Sequence, residues 1–310
     1  MIKSKLKDPS ALATITMVII WILSLIFIPG FSSFNHNATM LRTASFLGLI
    51  VLGQAVVILT GGMDMSVSGV VTLSSVVASS CIQHGGGTAL AIVLALAASL
   101  LVGAINATGI NFLRISPIIM TMAMVSIIEG ILLVYTQGTP PSGCTDAIKN
   151  MANGTPFVFA NAFWIWLVFL GVLIWLTTYT KYGRYIYAVG ANENTAKLSG
   201  ISPFRIKYLV YMISALCSGI AGILLLGNIG NTYLTLGTPY QLFSVSAAVI
   251  GGIAISGGKG KYWGVIAGTL MIIMFKDILN VMKISAAGRE MFQGALILLV
   301  LFAYGRDRNK

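Results

Sequence analysis

Apolar segments of membrane-spanning length follow one another along nearly the whole chain with only short links between them. A spanning helix needs roughly 20 mainly apolar residues. Ten such segments can be placed, at about 11–28, 43–60, 66–83, 88–106, 116–136, 161–179, 208–228, 242–256, 264–282 and 290–304. Of 310 residues, 57% are hydrophobic and 9% charged, with a mean hydropathy of +0.91, too little polar surface to coat a water-soluble globule. The expected fold is an all-α integral membrane protein of about ten transmembrane helices, a single domain over 1–310. The eighth segment is short, and the second and third are joined by only a few residues around Asp64, so broken or re-entrant helices are expected there. The first segment follows Lys3, Lys5 and Lys7, yet Phe27-Ile28-Pro29-Gly30 is not a small-x-small cleavage site, and the segment reads as an uncleaved anchor.

Charge gives a direction. With both termini in the cytoplasm, alternation places 14 of the 19 basic residues inside: Lys3, Lys5, Lys7, Arg114, Lys181, Arg184, Lys197, Arg205, Lys207, Lys259, Lys261, Arg306, Arg308 and Lys310. That asymmetry accounts for the net charge of +11 through topology and contact with anionic membrane lipid, with no need for nucleic acid.

Residues 181–207 form the one long basic, polar stretch between two hydrophobic blocks. Within it, 190–201 reads as a short helix along the membrane surface. Asn192 is its N-cap, Glu193 favours the first turn, Lys197 stands four residues on from Glu193, and Gly200 is the stop. A capped helix between two spans can act as a rigid lever for a soluble partner, or it can be an ordinary solvated connector.

The ionisable residues inside apolar stretches are few. Asp64, flanked by glycines and hydroxyls, either caps the third helix or lines a path for a polar solute. Glu129, Lys276 and Asp277 each cost about 2.5 to 3.5 kcal/mol at a helix centre, so a Glu129–Lys276 pair is one expectation and snorkelling at helix ends the other. Gly264 with Gly268, and Gly219 with Gly222, offer close helix packing, within the subunit or between two copies. Cys81 and Cys144 fall near the outer face and read as free thiols or, in an oxidising compartment, a disulfide. No metal-ligand cluster or nucleophile motif occurs, so neither a metal site nor catalysis is expected. The stretch Gly252 to Gly260 is not a Walker A loop, because Ile253 and Gly260 stand where that motif needs Gly and Ser or Thr.

Six motifs then converge: Leu59 to Val67 (LTGGMDMSV), Gly103 with Asn106 and Pro117, Tyr135-Thr136-Gln137-Gly138, Gly183 to Ala188 (GRYIYA), Leu198-Ser199-Gly200-Ile201, and Ala247 to Gly252 through Gly257-Gly258-Lys259-Gly260. In this order they resemble the permease subunits of bacterial ABC importers for monosaccharides, of the ribose, xylose, galactoside and autoinducer-2 type. The resemblance implies a multi-pass protein of the bacterial inner membrane, moving a monosaccharide or related polyol inward by alternating access. Its implied partners are a cytoplasmic ATP-binding subunit, an extracytoplasmic sugar-binding protein and a second permease copy or paralogue. The chain itself would bind no cofactor, ATP and Mg residing on the partner ATPase. The coupling helix on that ATPase would be carried here by Gly190, Asn192, Glu193, Lys197, Leu198, Ser199, Gly200 and Ile201. Candidate path residues are Gln54, Asp64, Ser66, Asn106, Glu129, Gln241, Lys276 and Asp277. The chain departs from the family pattern at Tyr240-Gln241-Leu242-Phe243, which lacks two usual acids, at Glu129 and at Lys276-Asp277. These departures leave the sugar open and raise the prospect of a paralogous partner. An ion-coupled secondary transporter using Glu129 or Asp64, and a non-transporting scaffold, are the competing readings.

Overall fold

The computed structural model describes residues 8–28, 30–285, 287, 288, 291, 294 and 295. Most of the expected tenth segment, 290–304, and both charged termini lie outside the described residues. Within them the chain is helical, with no strand. The helices are α1 (Pro9–Phe27), α2 (Phe34–Leu59), α3 (Val67–Gln83), α4 (Thr88–Asn111), α5 (Pro117–Thr136), α6 (Asp146–Asn153), α7 (Asn161–Tyr179), α8 (Lys181–Ala191), α9 (Glu193–Leu198), α10 (Pro203–Ile229), α11 (Thr238–Ile250) and, after the 3-10 turn Tyr262–Gly264, α12 (Val265–Val281).

Proline and glycine set the boundaries. Proline opens α1, α5, α10 and α11 where its missing N–H costs nothing, and Gly230 ends α10 in the left-handed region. Seven of the described helices are long and apolar enough to cross a membrane. The 17 residues of α3 rise about 26 Å and the 13 of α11 about 20 Å, short of the roughly 30 Å hydrocarbon core. These are the two places where broken elements were expected, although α11 starts four residues earlier than its predicted segment and stops at Gly251.

The bundle is organised around α2 and α10. From Ala44 to Leu59 every residue of α2 is buried, whereas α1 buries only Ser10, Ala13 and Ser24 and lies at the periphery. Both glycine pairs pack inside the chain: Gly222 against Val71 of α3, and Gly268 against Ala247 of α11. The three cysteines are free thiols.

Residues 231–237, in the link between the seventh and eighth apolar segments, run back along α3: the Thr232 hydroxyl accepts from the Ser75 hydroxyl at 2.7 Å, and the Gly237 amide donates to the Thr72 hydroxyl at 3.0 Å. Ser79, one turn further on, donates to the carbonyl of Pro141 at 3.0 Å. One face of α3 is thus a hydroxyl ladder that satisfies backbone which lipid cannot satisfy. α11 therefore begins beside the first two turns of α3.

Candidate coupling loop and translocation path

The stretch 181–207 folds as two helices, not one. The Thr180 hydroxyl caps α8 by accepting from the Gly183 amide at 3.3 Å. The Asn192 side chain caps α9, accepting from the Thr195 amide at 2.9 Å while its own backbone is extended and ends α8. Gly200, at φ +80°, stops α9, with the Gly200 amide donating to Lys197 and the Ile201 amide to Ala196. Ser199 turns its hydroxyl back to Thr195 at 3.0 Å. Ala196 is buried against the bundle, and Leu198 on the opposite side is 89% exposed.

Glu193 does not pair along its own helix with Lys197. Its carboxylate takes the ammonium of Lys207 at 2.7 Å, across to the first turns of α10, because Lys197 on the short α9 points into solvent while Lys207 is half-buried beside the cap. The pair clamps the lever helix to a membrane span. Since Glu193 is exposed, Lys207→Ala should lower thermal stability by no more than about 1 kcal/mol, as read from melting in detergent.

α8 was not foreseen in the sequence, and it is what seats the loop. Its Tyr187 hydroxyl donates to the carbonyl of Gly260 at 2.9 Å. Burial pushes the Tyr187 phenol above its ordinary range, so at neutral pH it is a hydrogen-bond donor. Gly190 faces the last carbonyl of α2, where a Cβ would stand 1.8 Å from the Leu59 oxygen.

At the break between α2 and α3, Asp64 is 1% exposed. One carboxylate oxygen accepts from the Ser66 amide at 2.9 Å and the Ser66 hydroxyl at 2.6 Å, and the other from the Ser214 hydroxyl of α10 at 2.7 Å. The Asn106 amide of α4 donates to the Ser66 hydroxyl at 2.8 Å, and the Met65 amide donates to the Thr121 hydroxyl of α5 at 3.0 Å. Asp64, Met65 and Ser66 together thus tie the break to three further helices, α10, α5 and α4. It does not cap α3 itself, since Ser66 occupies that position and Asp64 bonds the Ser66 amide one residue earlier.

The remaining candidates are dispersed. Gln54, in the C-terminal part of α2, is fully buried and neither of its amide atoms has a partner; the Asn106 carbonyl oxygen is likewise unpartnered. Glu129 lies exposed on α5 and does not pair with Lys276, which is exposed on α12. Asp277 pairs instead with His36 in the first turn of α2, at 2.7 Å. The expected Glu129–Lys276 bridge is therefore absent: α12 packs on α1, α2 and α11, and α5 on α3 and α4. Gln241 is half-exposed in the first turn of α11, near exposed Tyr233, Thr235 and Thr238, three polar residues that the sequence reading left in a loop.

Residues 37–301 match the family described as "Branched-chain amino acid transport system / permease component". The chain is 32% identical over 278 residues to the ribose import permease protein of Escherichia coli (strain K12), covering 88% of this chain and 86% of that protein. It is 33% identical over 284 residues to the ribose import permease protein of Bacillus subtilis (strain 168), covering 91% and 87%. It is 30% identical over 305 residues to the fructose import permease protein of Rhizobium meliloti, covering 95% and 84%. Among solved structures, an inward-facing metal-chelate type ABC transporter shares the fold with a TM-score of 0.52 at 12% identity, over 94% of this chain and 97% of that one. The apolar helices and these relatives make it a multi-pass protein of the bacterial inner membrane. The chain belongs to the branched-chain amino acid transport system / permease component family, and is the permease subunit of an ABC importer.

Proposed function

We propose that the chain carries a monosaccharide inward, driven by ATP hydrolysed, with Mg, on a separate subunit. The observation that carries this reading is the identity to ribose and fructose import permeases along nearly the full chain. The family description names branched-chain amino acids, a different solute class, and the relatives at 30% identity and above favour the sugar. The partners follow: an ATP-binding subunit docked on α9, an extracytoplasmic sugar-binding protein, and a second permease, copy or paralogue. In this reading the chain is one permease domain of ten membrane segments with both termini cytoplasmic; α3, α11 and residues 290–304 complete the seven long spans.

The path runs along the outward surface that α5 and the start of α11 share. An ionised Glu129 exposed to lipid near the middle of α5 costs about 2.5 to 3.5 kcal/mol on insertion scales. Leu234 packs on the apolar cluster that α5 shares with α3 and α4, and Tyr233, Thr235, Thr238 and Gln241 place exposed or half-exposed polar groups on the same segment. That surface suits hydroxyl-rich solute. Gln54, Asn106 and Ser66 then serve as interior polar groups, and Lys276 and Asp277 lie at the far end of α12. Cells lacking the chain, with and without its gene restored, should differ in uptake of labelled ribose or fructose. Uptake of leucine, isoleucine or valine in place of either sugar would move the solute class to that of the family description.

A further inference from the structure

The geometry points to a glycine seam, Gly190 against Leu59 and Gly258, as the positioning contact that carries movement of the cytoplasmic loop to the Asp64 break. The inference rests on α9 being the docking helix for the ATPase. The seam joins three pieces of chain remote in sequence. The Gly258 amide donates to the carbonyl of Leu59, the last residue of α2, at 2.9 Å. A Cβ on Gly190 would stand 1.8 Å from that carbonyl and 2.6 Å from the Gly258 nitrogen. Gly258, at φ +68°, is backed by Ala191, whose nitrogen would lie 2.5 Å from a Cβ there. Backbone meets backbone with no side chain between, so the end of α8 and the end of α2 cannot move independently without breaking the contact.

The loop 252–261 is itself held from both sides. Tyr187 of α8 bonds Gly260, Tyr262 donates to the Leu52 carbonyl of α2 at 2.6 Å, and Lys261 pairs with Asp8 at the start of α1. Asp64 stands five residues beyond Leu59 across the turn Thr60-Gly61-Gly62, in which the Gly62 amide donates to Val57 at 3.2 Å. The second connection from the loop is the Glu193–Lys207 pair on α10, and Ser214 of the same helix bonds Asp64. Both connections end on one carboxylate. Contiguous packed contacts of this kind are where coupling between sites is carried. Neither Tyr187 nor Gly258 belongs to the exposed surface of α9.

The test uses the chain with its ATPase in detergent, with Met65→Cys at the break as reporter, its labelling resolved from that of Cys81, Cys144 and Cys217 by peptide mass spectrometry. The rate of maleimide labelling is compared before and after trapping with ATP and vanadate. We expect trapping to change the labelling rate in the parent, the change to shrink about threefold in Tyr187→Phe, and about tenfold or more in Gly258→Ala. ATPase recovery and ATP hydrolysis should stay at the parent level in both variants. A parent that shows no ATP-dependent change, or variants that retain its full change with the ATPase bound, would overturn the seam. If Gly258→Ala does not assemble, Tyr187→Phe, which removes one oxygen and no packing, decides. If no ATPase is recovered even with the parent chain, the docking role of α9 falls first, and the seam loses its input.

Discussion

Leu198→Asp should uncouple this permease while leaving it folded. The side chain is 89% exposed at the end of α9, an apolar residue on a helix whose inner face is already seated through Ala196. Leu198 belongs to no apolar cluster among the described residues, so a charge there costs the subunit little stability, because exposed substitutions away from caps and cores stay within about 0.5 kcal/mol. At a docking surface the same residue is an anchor whose loss costs about 2 kcal/mol or more, a factor of about 30 in affinity. ATPase recovery with the tagged chain and ATP-driven uptake should both fall by that factor, with the melting temperature in detergent unchanged. Parent-level recovery of the ATPase would exclude α9 as the docking element.

The second large effect is at Asp64. Asp64→Leu leaves the Ser66 amide without its acceptor inside the bundle, while the Ser214 hydroxyl can turn back to a carbonyl of its own helix. A buried donor left unsatisfied costs about 1 to 3 kcal/mol, a large share of a typical stability of about 5 to 15 kcal/mol. Asp64→Asn keeps one acceptor oxygen and should fall between Leu and the parent in melting temperature. Parent-like melting of both variants with uptake abolished would instead put Asp64 on the solute or ion path, the role an ion-coupled carrier needs.

Most of the helices were legible, because lipid leaves only one way to satisfy a backbone and the apolar runs show where that happens. Asn192 and Gly200 were legible as cap and stop, since each acts on residues within four positions of itself. What escaped reading depends on contacts distant in sequence. The loop 231–237 is only a link between apolar segments until the hydroxyls of Ser75 and Thr72 are seen to receive it. The partner of Glu193 is Lys207 rather than Lys197, since the turn after Gly200 returns α10 to the cap. A pair of Glu129 with Lys276 on α12 was one of two expectations, and the topology puts those helices on different neighbours. α8 had a signal in Thr180 and Gly183, a hydroxyl cap three residues ahead of a free amide, hidden by the basic residues around it.

The measurement that bears most directly on the central claim is uptake into proteoliposomes containing the chain with the ATPase and sugar-binding protein that accompany it. Labelled ribose or fructose should enter only when ATP is supplied at the face carrying α9, at a rate indifferent to ionophores that collapse proton and sodium gradients. Uptake by the chain alone, driven by an ion gradient and unaffected by ATP, would contradict the account and make this an ion-coupled transporter.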